Sequence, residues 1–557
     1  MKKYKYILVI LLSVIVLFLV VGYKEDTIAE LALENDQLVL KTGSSYDPEI
    51  LKPWYNWEDG KYHFFLPSYL KDVESFTNED GTKQLSLNQE IEYAGNKIVV
   101  HKSANLPALY INTESQSNYL LHSDKEIKEA GEIKLINNEG ISVSELEMEY
   151  ITGRGNSTFD FDKKPYTLKL KNSVSFLGME PGDKWVLLAN SYEGTKVIYK
   201  MMLDMAAHIG LEYTPEAQWV DLYMNGEYVG NYLLCKALYI GQGSVDIPGG
   251  ILIEKDTPAY YMFETEKFLM EEQFTFTIKH YENTTEEELA GLTEYFNYIN
   301  RLIKAGDKEA WNYLDTDSLA KAFLMYEIAY NSDTNVTSTY FYKQTGNNLL
   351  MCGPVWDFDG SFGESNGQWT NYNGTVLDIK KNPDRVERYL AWNDILYEND
   401  AEYYEKVVNH YKSLLPYLEF LVEEGIDQYV DYIEDSVQMD MIRWDYGENT
   451  AGHYSKLDDN IRYLKFFLSK RISMINERWG LDAYSEPELA NGEVHKVTFE
   501  VDGQVVHEEM VEDGGFLTNI PQAEGGKCWL YSRDCQPYNE YLPVYEDMTL
   551  YLDVYEE

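Results

Sequence analysis

The order of the apolar patterns along the chain constrains its fold most. From residue 29 to residue 170, short runs of alternating apolar and polar residues are broken by Gly, Asn and Asp, a pattern typical of β-strands. From residue 195, apolar residues recur every three to four positions, as in residues 195–209, 286–304 and 317–330, and this predicts helices. Strands first and helices later predict an α+β fold.

The chain has 557 residues, a length that predicts several domains. In the C-terminal tail, residues 494–557, two runs of alternating apolar and polar residues meet at Asp502 and Gly503. This dipeptide is typical of tight hairpin turns. The tail is similar to the β-grasp-like repeats of bacterial surface proteins. We therefore predict a β-rich spacer domain, a main body, a linker and a small β domain, at residues 24–105, 106–482, 483–493 and 494–557.

The N-terminus predicts a membrane anchor or an export signal. Residues 1–5 hold three lysines, and the run that follows, residues 6–23, is almost entirely apolar. It lacks the small residues of a cleavage site, which favours an uncleaved transmembrane anchor over a cleaved signal. Lysines remain on the cytoplasmic side of membranes, so we expect a single-pass protein whose bulk, from residue 24 onward, is extracellular.

The formal net charge is -47, and a field of that sign excludes nucleic acid as a partner bound by bulk electrostatics. It repels ATP as well, so a site for ATP needs local cations and a metal. Four cysteines are too few for a dense disulfide framework. Cys528 and Cys535 either pair across a hairpin or remain free thiols.

An acidic pair lies in residues 353–363, where Asp357 and Asp359 stand two positions apart between bulky apolar residues and glycines. Carboxylates spaced in this way can direct oxygen atoms at a hard divalent cation such as Mg²⁺. The pair therefore predicts metal ligands and a metal-dependent phosphoryl-transfer enzyme.

Phosphoryl transfer also requires groups that hold phosphates. Residues 153–158 offer flexible backbone, a guanidinium and hydroxyl groups, which can fold over phosphate oxygens. A tight turn between strands is the alternative interpretation. The candidate nucleotide-binding residues are Gly153, Arg154, Gly155, Asn156 and Ser157.

Two lysines follow this glycine-rich run. Strand alternation places Lys164 on the face of Tyr166 and Lys169 on the opposite face. We predict Lys164 as the phosphate-binding lysine and keep Lys169 as the second candidate. Ordinary solvated strand lysines remain the alternative.

Asp333 follows an apolar helix pattern and precedes a strand pattern, so its carboxylate can face a cleft. In protein kinases the catalytic Asp precedes a metal-binding Asn by five positions, and here Ser338 holds that fifth position. Asp333 is therefore the candidate catalytic base and Ser338 a weaker metal ligand. A turn aspartate is the alternative.

Together these motifs resemble the spore-coat protein H (CotH) kinase family of atypical secreted kinases, over about residues 106–480. The motifs that carry the resemblance lie at residues 153–158, 163–166, 177–190, 225–230 and 353–358. The resemblance implies a reduced, rearranged protein-kinase fold for the main body. It also implies that Asp333 is the catalytic base, Asp357 the principal metal ligand and Asp359 a supporting acid.

Two positions depart from the family pattern. Residues 191–200 lack the Asp and the Arg-Asn pair that family members carry before the next helix, and Lys236 replaces a glutamate. Glu254 matches the family and would substitute for the missing acid. If that glutamate orients the phosphate-binding lysine, its loss implies slow chemistry.

The sequence thus predicts an extracellular, membrane-anchored atypical kinase that uses ATP and Mg²⁺ or Mn²⁺. Its expected partners are the membrane and a surface or secreted protein with acceptor Ser or Thr residues. A catalytically weak pseudokinase that serves as a cell-surface binding or adhesion module is the alternative. The 48 tyrosines and 11 tryptophans leave a carbohydrate-active protein as a third hypothesis, because such rings can stack on sugars.

Overall fold

The computed structural model describes most of the chain after residue 26. The described parts do not include the predicted cytoplasmic segment (residues 1–5), the predicted anchor (residues 6–23), Ser332 or Cys535. No helix in these parts is both long and apolar enough to cross a membrane. The described residues are 27–34, 37–44, 48–70, 75–78, 81–84, 86–256, 267–270, 274–279, 285–331, 333–364, 371–381, 390–444, 453–522, 528–531 and 537–552.

Two β-sheets form the N-terminal part. Their orders are β3-β2-β1-β6-β7 and β4-β5-β9-β8. The strands are β1 (Thr27–Glu34), β2 (Gln37–Ser44), β3 (Pro48–Leu51), β4 (Trp54–Asn56), β5 (Lys61–Leu66), β6 (Ser75–Asn78), β7 (Gly81–Gln84), β8 (Glu90–Tyr93) and β9 (Asn96–Lys102).

A closed barrel follows, in the order β10-β11-β12-β13-β14-β16-β15. Alternate residues such as Leu168 and Trp185 fill its interior, as expected for strands whose side chains point to opposite faces in turn. Its strands are β10 (Ala108–Thr113), β11 (Lys128–Ile136), β12 (Ser142–Gly153), β13 (Tyr166–Val174), β14 (Gly182–Leu188), β15 (Ala217–Met224) and β16 (Glu227–Lys236).

The N-terminal sheets share a hydrophobic core with this barrel. Phe64 and Phe65 belong to the same buried cluster as Tyr110 of β10 and Tyr228 of β16, and the rings of Phe65 and Tyr228 stack with centroids 4.7 Å apart. The described strands of the N-terminal part are therefore packed against the barrel.

The second half of the body combines helices with a sheet of order β18-β19-β17-β20-β21. This sheet consists of β17 (Ile251–Lys255), β18 (Lys267–Leu269), β19 (Thr275–Ile278), β20 (Thr339–Lys343) and β21 (Met351–Cys352). The helices are α1 (Asn118–Ser123), α2 (Ser157–Asp160), α3 (Ile198–His208), α4 (Glu286–Ala305), α5 (Thr316–Ala329), α6 (Trp392–Asn399), α7 (Ala401–Phe420), α8 (Ile426–Trp444) and α9 (Leu457–Trp479). The mixed content agrees with the predicted α+β class.

A buried ion pair joins α8 to the barrel. The ammonium of Lys163 lies 2.7 Å from Oδ1 of Asp440 on α8, and both side chains are almost fully buried, at 1% and 0% exposure. The same ammonium donates to the carbonyls of Ala189 and Asn231 at 2.9 and 2.5 Å. At Gly230 an added Cβ would lie 2.2 Å from Asp440 Oδ1, so this close approach requires glycine.

The tail folds into a sheet of order β23-β22-β25-β24, with β22 parallel to β25. Asp502 and Gly503 form the predicted hairpin turn with φ angles of 50° and 73°. The strands are β22 (Val494–Val501), β23 (Gln504–Glu512), β24 (Trp529–Tyr531) and β25 (Met548–Leu552).

The tail sheet is docked on α9. Arg462 of α9 lies 2.5 Å from a carboxylate oxygen of Asp513, and its guanidinium lies 4.1 Å from the ring centroid of Tyr545. The hydroxyl of Tyr454 donates to the carbonyl of Pro543 at 2.6 Å. The tail therefore belongs to the same packed body as the helices.

Candidate active site

Two loops of the helical half bring the predicted acids together. Asp333 lies in the turn between α5 and β20, and Asp357 and Asp359 follow β21. Because β20 and β21 pair antiparallel, the start of β20 and the end of β21 lie at one edge of the sheet. The charges of Asp333, Asp357 and Asp359 act on one another, so the structure gathers all three acids into one site.

Asp357 is held in an unusual backbone conformation. Its φ is 64°, a left-handed value that is uncommon for residues other than glycine and clusters at functional sites. The backbone N–H of Asp357 donates to the hydroxyl of Tyr199 at 2.9 Å, and its carbonyl accepts from the amide of Asn331 at 2.7 Å. These contacts from α3 and from the end of α5 fix where the carboxylate points.

Burial and like charges make this site electrostatically strained. Burial and the charge of Asp333 raise the pKa of Asp357 to about 6, whereas a hydrogen bond from Ser338 and the charge of Arg154 oppose the shift. Burial and the charge of Asp357 raise the pKa of Asp359 to about 8. Carboxylates that repel one another in this way bind a cation readily.

The glycine-rich run forms an ordered turn beside these acids. The Arg154 guanidinium lies 5.5 Å from the ring centroid of Trp356, and its charge lowers the pKa values of Asp357 and Asp359. Gly155 has a φ of 86°, and an added Cβ would lie 2.0 Å from the Thr158 hydroxyl. Both the tight turn and the proximity to the acids are therefore present.

The other end of this turn is held by side chains from two sides. Lys125 donates to the carbonyl of Gly155 at 3.2 Å and to the side chain of Asn156 at 3.3 Å. Ser157 hydrogen-bonds Tyr192, whose pKa is raised by burial and by the charges of the three acids of the site. Gly153 ends β12, where an added Cβ would lie 2.2 Å from the Phe159 ring.

The structure does not bring Lys164 to the acids. Its ammonium donates to the carbonyl of Phe159 at 2.7 Å and lies 4.9 Å from the centroid of that ring. Its charge acts on His122. Lys169 lies on the outer face of β13 and forms an ion pair with Asp183 at 2.6 Å. Binding of phosphate by Lys164 or by Lys169 stays a prediction.

Glu254 lies buried on β17. Burial raises its pKa to about 7 against an ion pair with Lys279. Lys236, the replacement for the family glutamate, donates to the carbonyl of Glu180 and lies 3.9 Å from the centroid of the Trp185 ring. Because Trp185 fills the barrel interior, the ammonium of Lys236 contacts the barrel and not the acids of the site.

Several residues near the site were not found from the sequence. Glu193 accepts from the Thr195 hydroxyl and the backbone N–H of Ile198 at 2.7 and 2.9 Å, and its charge raises the pKa of Asp359. Glu193 stands in the stretch that departs from the family pattern, so an acid at that place was the available signal. Tyr199 and Asn331 gave no comparable signal, because their roles depend on contacts across loops.

The donor set fits a divalent cation that is shared with phosphates. Among the described residues, no three His, Cys, Asp or Glu side chains converge closely enough to enclose a metal ion. Mg²⁺ typically takes one or two protein carboxylates and fills its remaining positions with phosphate oxygens and water. Asp357 and Asp359, with the Ser338 hydroxyl bonded to Asp357, meet that requirement.

Most of the main body matches a known protein family. The sequence model of a family described as CotH kinase protein matches residues 151–475, more than half of the chain. The matched segment contains the glycine-rich turn and all three acids. No curated protein matches the chain.

Proposed function

Because this chain belongs to the CotH kinase family, an atypical kinase family, we propose that it transfers the γ-phosphoryl group of ATP to Ser or Thr residues of a protein. The observation that carries the proposal is the cluster of Asp333, Asp357 and Asp359 beside Arg154. Acids that bind a metal and an arginine that binds phosphate are the parts that phosphoryl transfer requires.

Each side chain has a distinct task in this proposal. Asp357 and Asp359, with Ser338, hold Mg²⁺ or Mn²⁺, which when bound neutralises charge on the phosphates. Arg154 binds phosphate oxygens, and the backbone of the glycine-rich turn covers them. Asp333 orients the acceptor hydroxyl and takes its proton.

The acceptor and the location are parts of the same proposal. If residues 6–23 are a membrane anchor, the catalytic body lies outside the cell, and its acceptors are surface or secreted proteins. The net charge of -47 supports an acceptor that is neutral or basic around the phosphorylated residue, since acidic segments would be repelled.

A catalytically weak pseudokinase is the second candidate. It is favoured by residues 191–200, which depart from the family pattern, and by Lys236, which replaces an acid and contacts Glu180 and Trp185. In protein kinases a lysine that binds phosphate and a glutamate must pair for activity. A protein of this kind would bind partners without phosphorylating them.

The test is transfer from labelled ATP by the purified chain to itself and to a basic protein, with Mg²⁺ or Mn²⁺. We expect Asp333→Asn and Asp357→Asn to lower labelling by about 100-fold or more. Asp435→Asn, an exposed aspartate on α8, should leave labelling unchanged and is the matched control. Equal labelling by all four proteins would refute the roles of the two acids, and nucleotide binding without labelling by the wild type would favour the pseudokinase.

A further inference from the structure

A cavity of about 440 Å³ lies where the tail sheet meets the chain that leads into α9. Thr498 of β22 and Thr549 of β25 line it from the sheet, where they stand side by side in the register of two parallel strands. His453, Tyr454 and Ser455 line it from the start of α9. The volume lies in the range of about 300–1,000 Å³ that is typical of ligand sites, many of which occur between domains.

Aromatic and aliphatic side chains give this cavity an apolar surface. Tyr531 of β24 and Tyr538 line it with rings whose centroids lie 5.7 Å apart at an interplanar angle of 59°. Leu542, Pro543 and Met548 belong to the same lining. Tyrosine rings combine a large, rigid apolar face with a polar hydroxyl. The cavity therefore suits a ligand that has an apolar face.

The charged side chains of the lining carry both signs and make contacts within the chain. The ammonium of Lys496 lies 2.6 Å from a carboxylate oxygen of Glu508. Asp547 accepts from the backbone N–H of Lys496 at 2.8 Å, and Glu546 accepts from the backbone N–H of Ser455 at 3.2 Å. Because a cation and two carboxylates stand beside one another, the charge of the lining does not select an anion or a cation.

Hydroxyl groups supply most of the uncharged polar lining. They belong to Ser455, Thr498, Tyr531, Tyr538 and Thr549. A hydroxyl both donates and accepts hydrogen bonds, so it matches ligand groups that do the same. A neutral sugar carries such hydroxyls around a ring with apolar C–H faces, and it therefore matches the hydroxyl groups and the tyrosine rings together.

We infer that the cavity between the tail sheet and α9 binds a neutral oligosaccharide. This inference goes beyond the proposed function and does not depend on it. It assigns a ligand to tyrosines of the kind that raised the carbohydrate hypothesis in the sequence analysis. An occupied cavity would hold the protein at a surface that carries glycans.

His453 connects this cavity to the loop of the candidate active site. Its Nε2–H donates to the carbonyl of Gly363 at 2.7 Å, at the end of the segment that contains Asp357 and Asp359. The side chains of Thr498 and Tyr531 stand on the tail sheet instead. Variants at these two positions therefore test sugar binding and leave the His453 contact in place.

The test is calorimetry of the full chain with four neutral hexasaccharides, namely cellohexaose, xylohexaose, maltohexaose and chitohexaose, and with the peptides hexalysine and hexaglutamate. We expect at least one hexasaccharide to bind with a Kd below about 1 mM. Tyr531→Ala should raise that Kd by about tenfold or more, because tyrosines are frequent binding hot spots. Thr498→Val keeps the shape of the side chain and should raise the Kd by about fivefold, because one hydrogen bond is lost.

Two controls accompany these variants. Tyr541→Ala replaces a half-buried tail tyrosine that is not among the described residues of the lining, and it should leave the Kd for the hexasaccharide unchanged. Tyr531→Ala should not change the binding of either peptide, because the cavity takes a neutral ligand.

Each outcome decides the inference. It would be overturned if none of the hexasaccharides bound, or if Tyr531→Ala and Thr498→Val bound them as the wild type does, because the sugar would then lie elsewhere. Equal weakening by Tyr541→Ala would show a general loss of tail structure, and weaker peptide binding by Tyr531→Ala would show a site for a charged segment; either result overturns it. Absence of phosphoryl transfer would refute the proposed function and leave this inference intact.

Discussion

Replacing the adjacent lysines Lys163 and Lys164 by methionine should change the free energy of unfolding by very different amounts. In Lys163→Met the buried carboxylate of Asp440 loses its ion pair at 2.7 Å, and the carbonyls of Ala189 and Asn231 lose their donor. Breaking a buried pair by removing one partner costs about 3–5 kcal/mol. Methionine fills most of the lysine volume, so this cost is electrostatic and not that of a cavity.

Lys164→Met is the matched control, because the change is identical and one position away. It removes one hydrogen bond, to the carbonyl of Phe159, and should cost about 1 kcal/mol. Both variants would be compared with wild type by urea unfolding, followed by tryptophan fluorescence.

A double variant separates the ion pair from other effects. Adding Asp440→Asn to Lys163→Met removes the unpaired charge, so the double variant should be more stable than Lys163→Met alone. Equal free energies of unfolding for Lys163→Met and Lys164→Met would refute the reasoning. A double variant less stable than the single one would do the same.

Three further predictions concern acidity, metal binding and the tail. Burial lowers the pKa of His101 to about 4, whereas in the unfolded chain this histidine binds a proton from about pH 6.5 downward. The free energy of unfolding should therefore fall by roughly 3 kcal/mol between pH 6.5 and 4. In urea titrations, His101→Phe should make the free energy of unfolding less dependent on pH. Asp359, with a pKa of about 8, must lose a proton to bind metal, so calorimetry should show weaker Mn²⁺ binding at pH 6.5 than at pH 8.5, and Asp359→Asn should reduce the difference. Arg462→Ala removes the contact to Asp513 and should speed protease cleavage within residues 483–493, whereas Lys465→Ala on the same helix should not.

Local chemistry predicted many elements well. The helix expected at residues 286–304 is α4, and it begins with a capping box between Thr285 and Glu288 and ends at Gly306 in the left-handed conformation. The hairpin turn at Asp502 and Gly503 could also be predicted from the sequence, because both residues tolerate positive φ. Signals of this kind lie within a few residues of the feature that they determine.

The site could be predicted only in part for the same reason. Asp333 and Asp357 lie together as the sequence motifs suggested, but the choice of Lys164 relied on strand alternation. That alternation does not extend to Lys164, because β13 begins at Tyr166, after Pro165.

The closed barrel has a consequence for where this protein can be cut. The family match begins at residue 151, close to the end of β12, so two complete strands and most of a third lie upstream of the matched segment. An expression fragment limited to the matched region would contain an open sheet. Its two edge strands would expose unpaired backbone N–H and C=O groups to water and promote aggregation. The boundary of recognisable ancestry and the boundary of a foldable fragment are therefore different, and truncations should begin before β10.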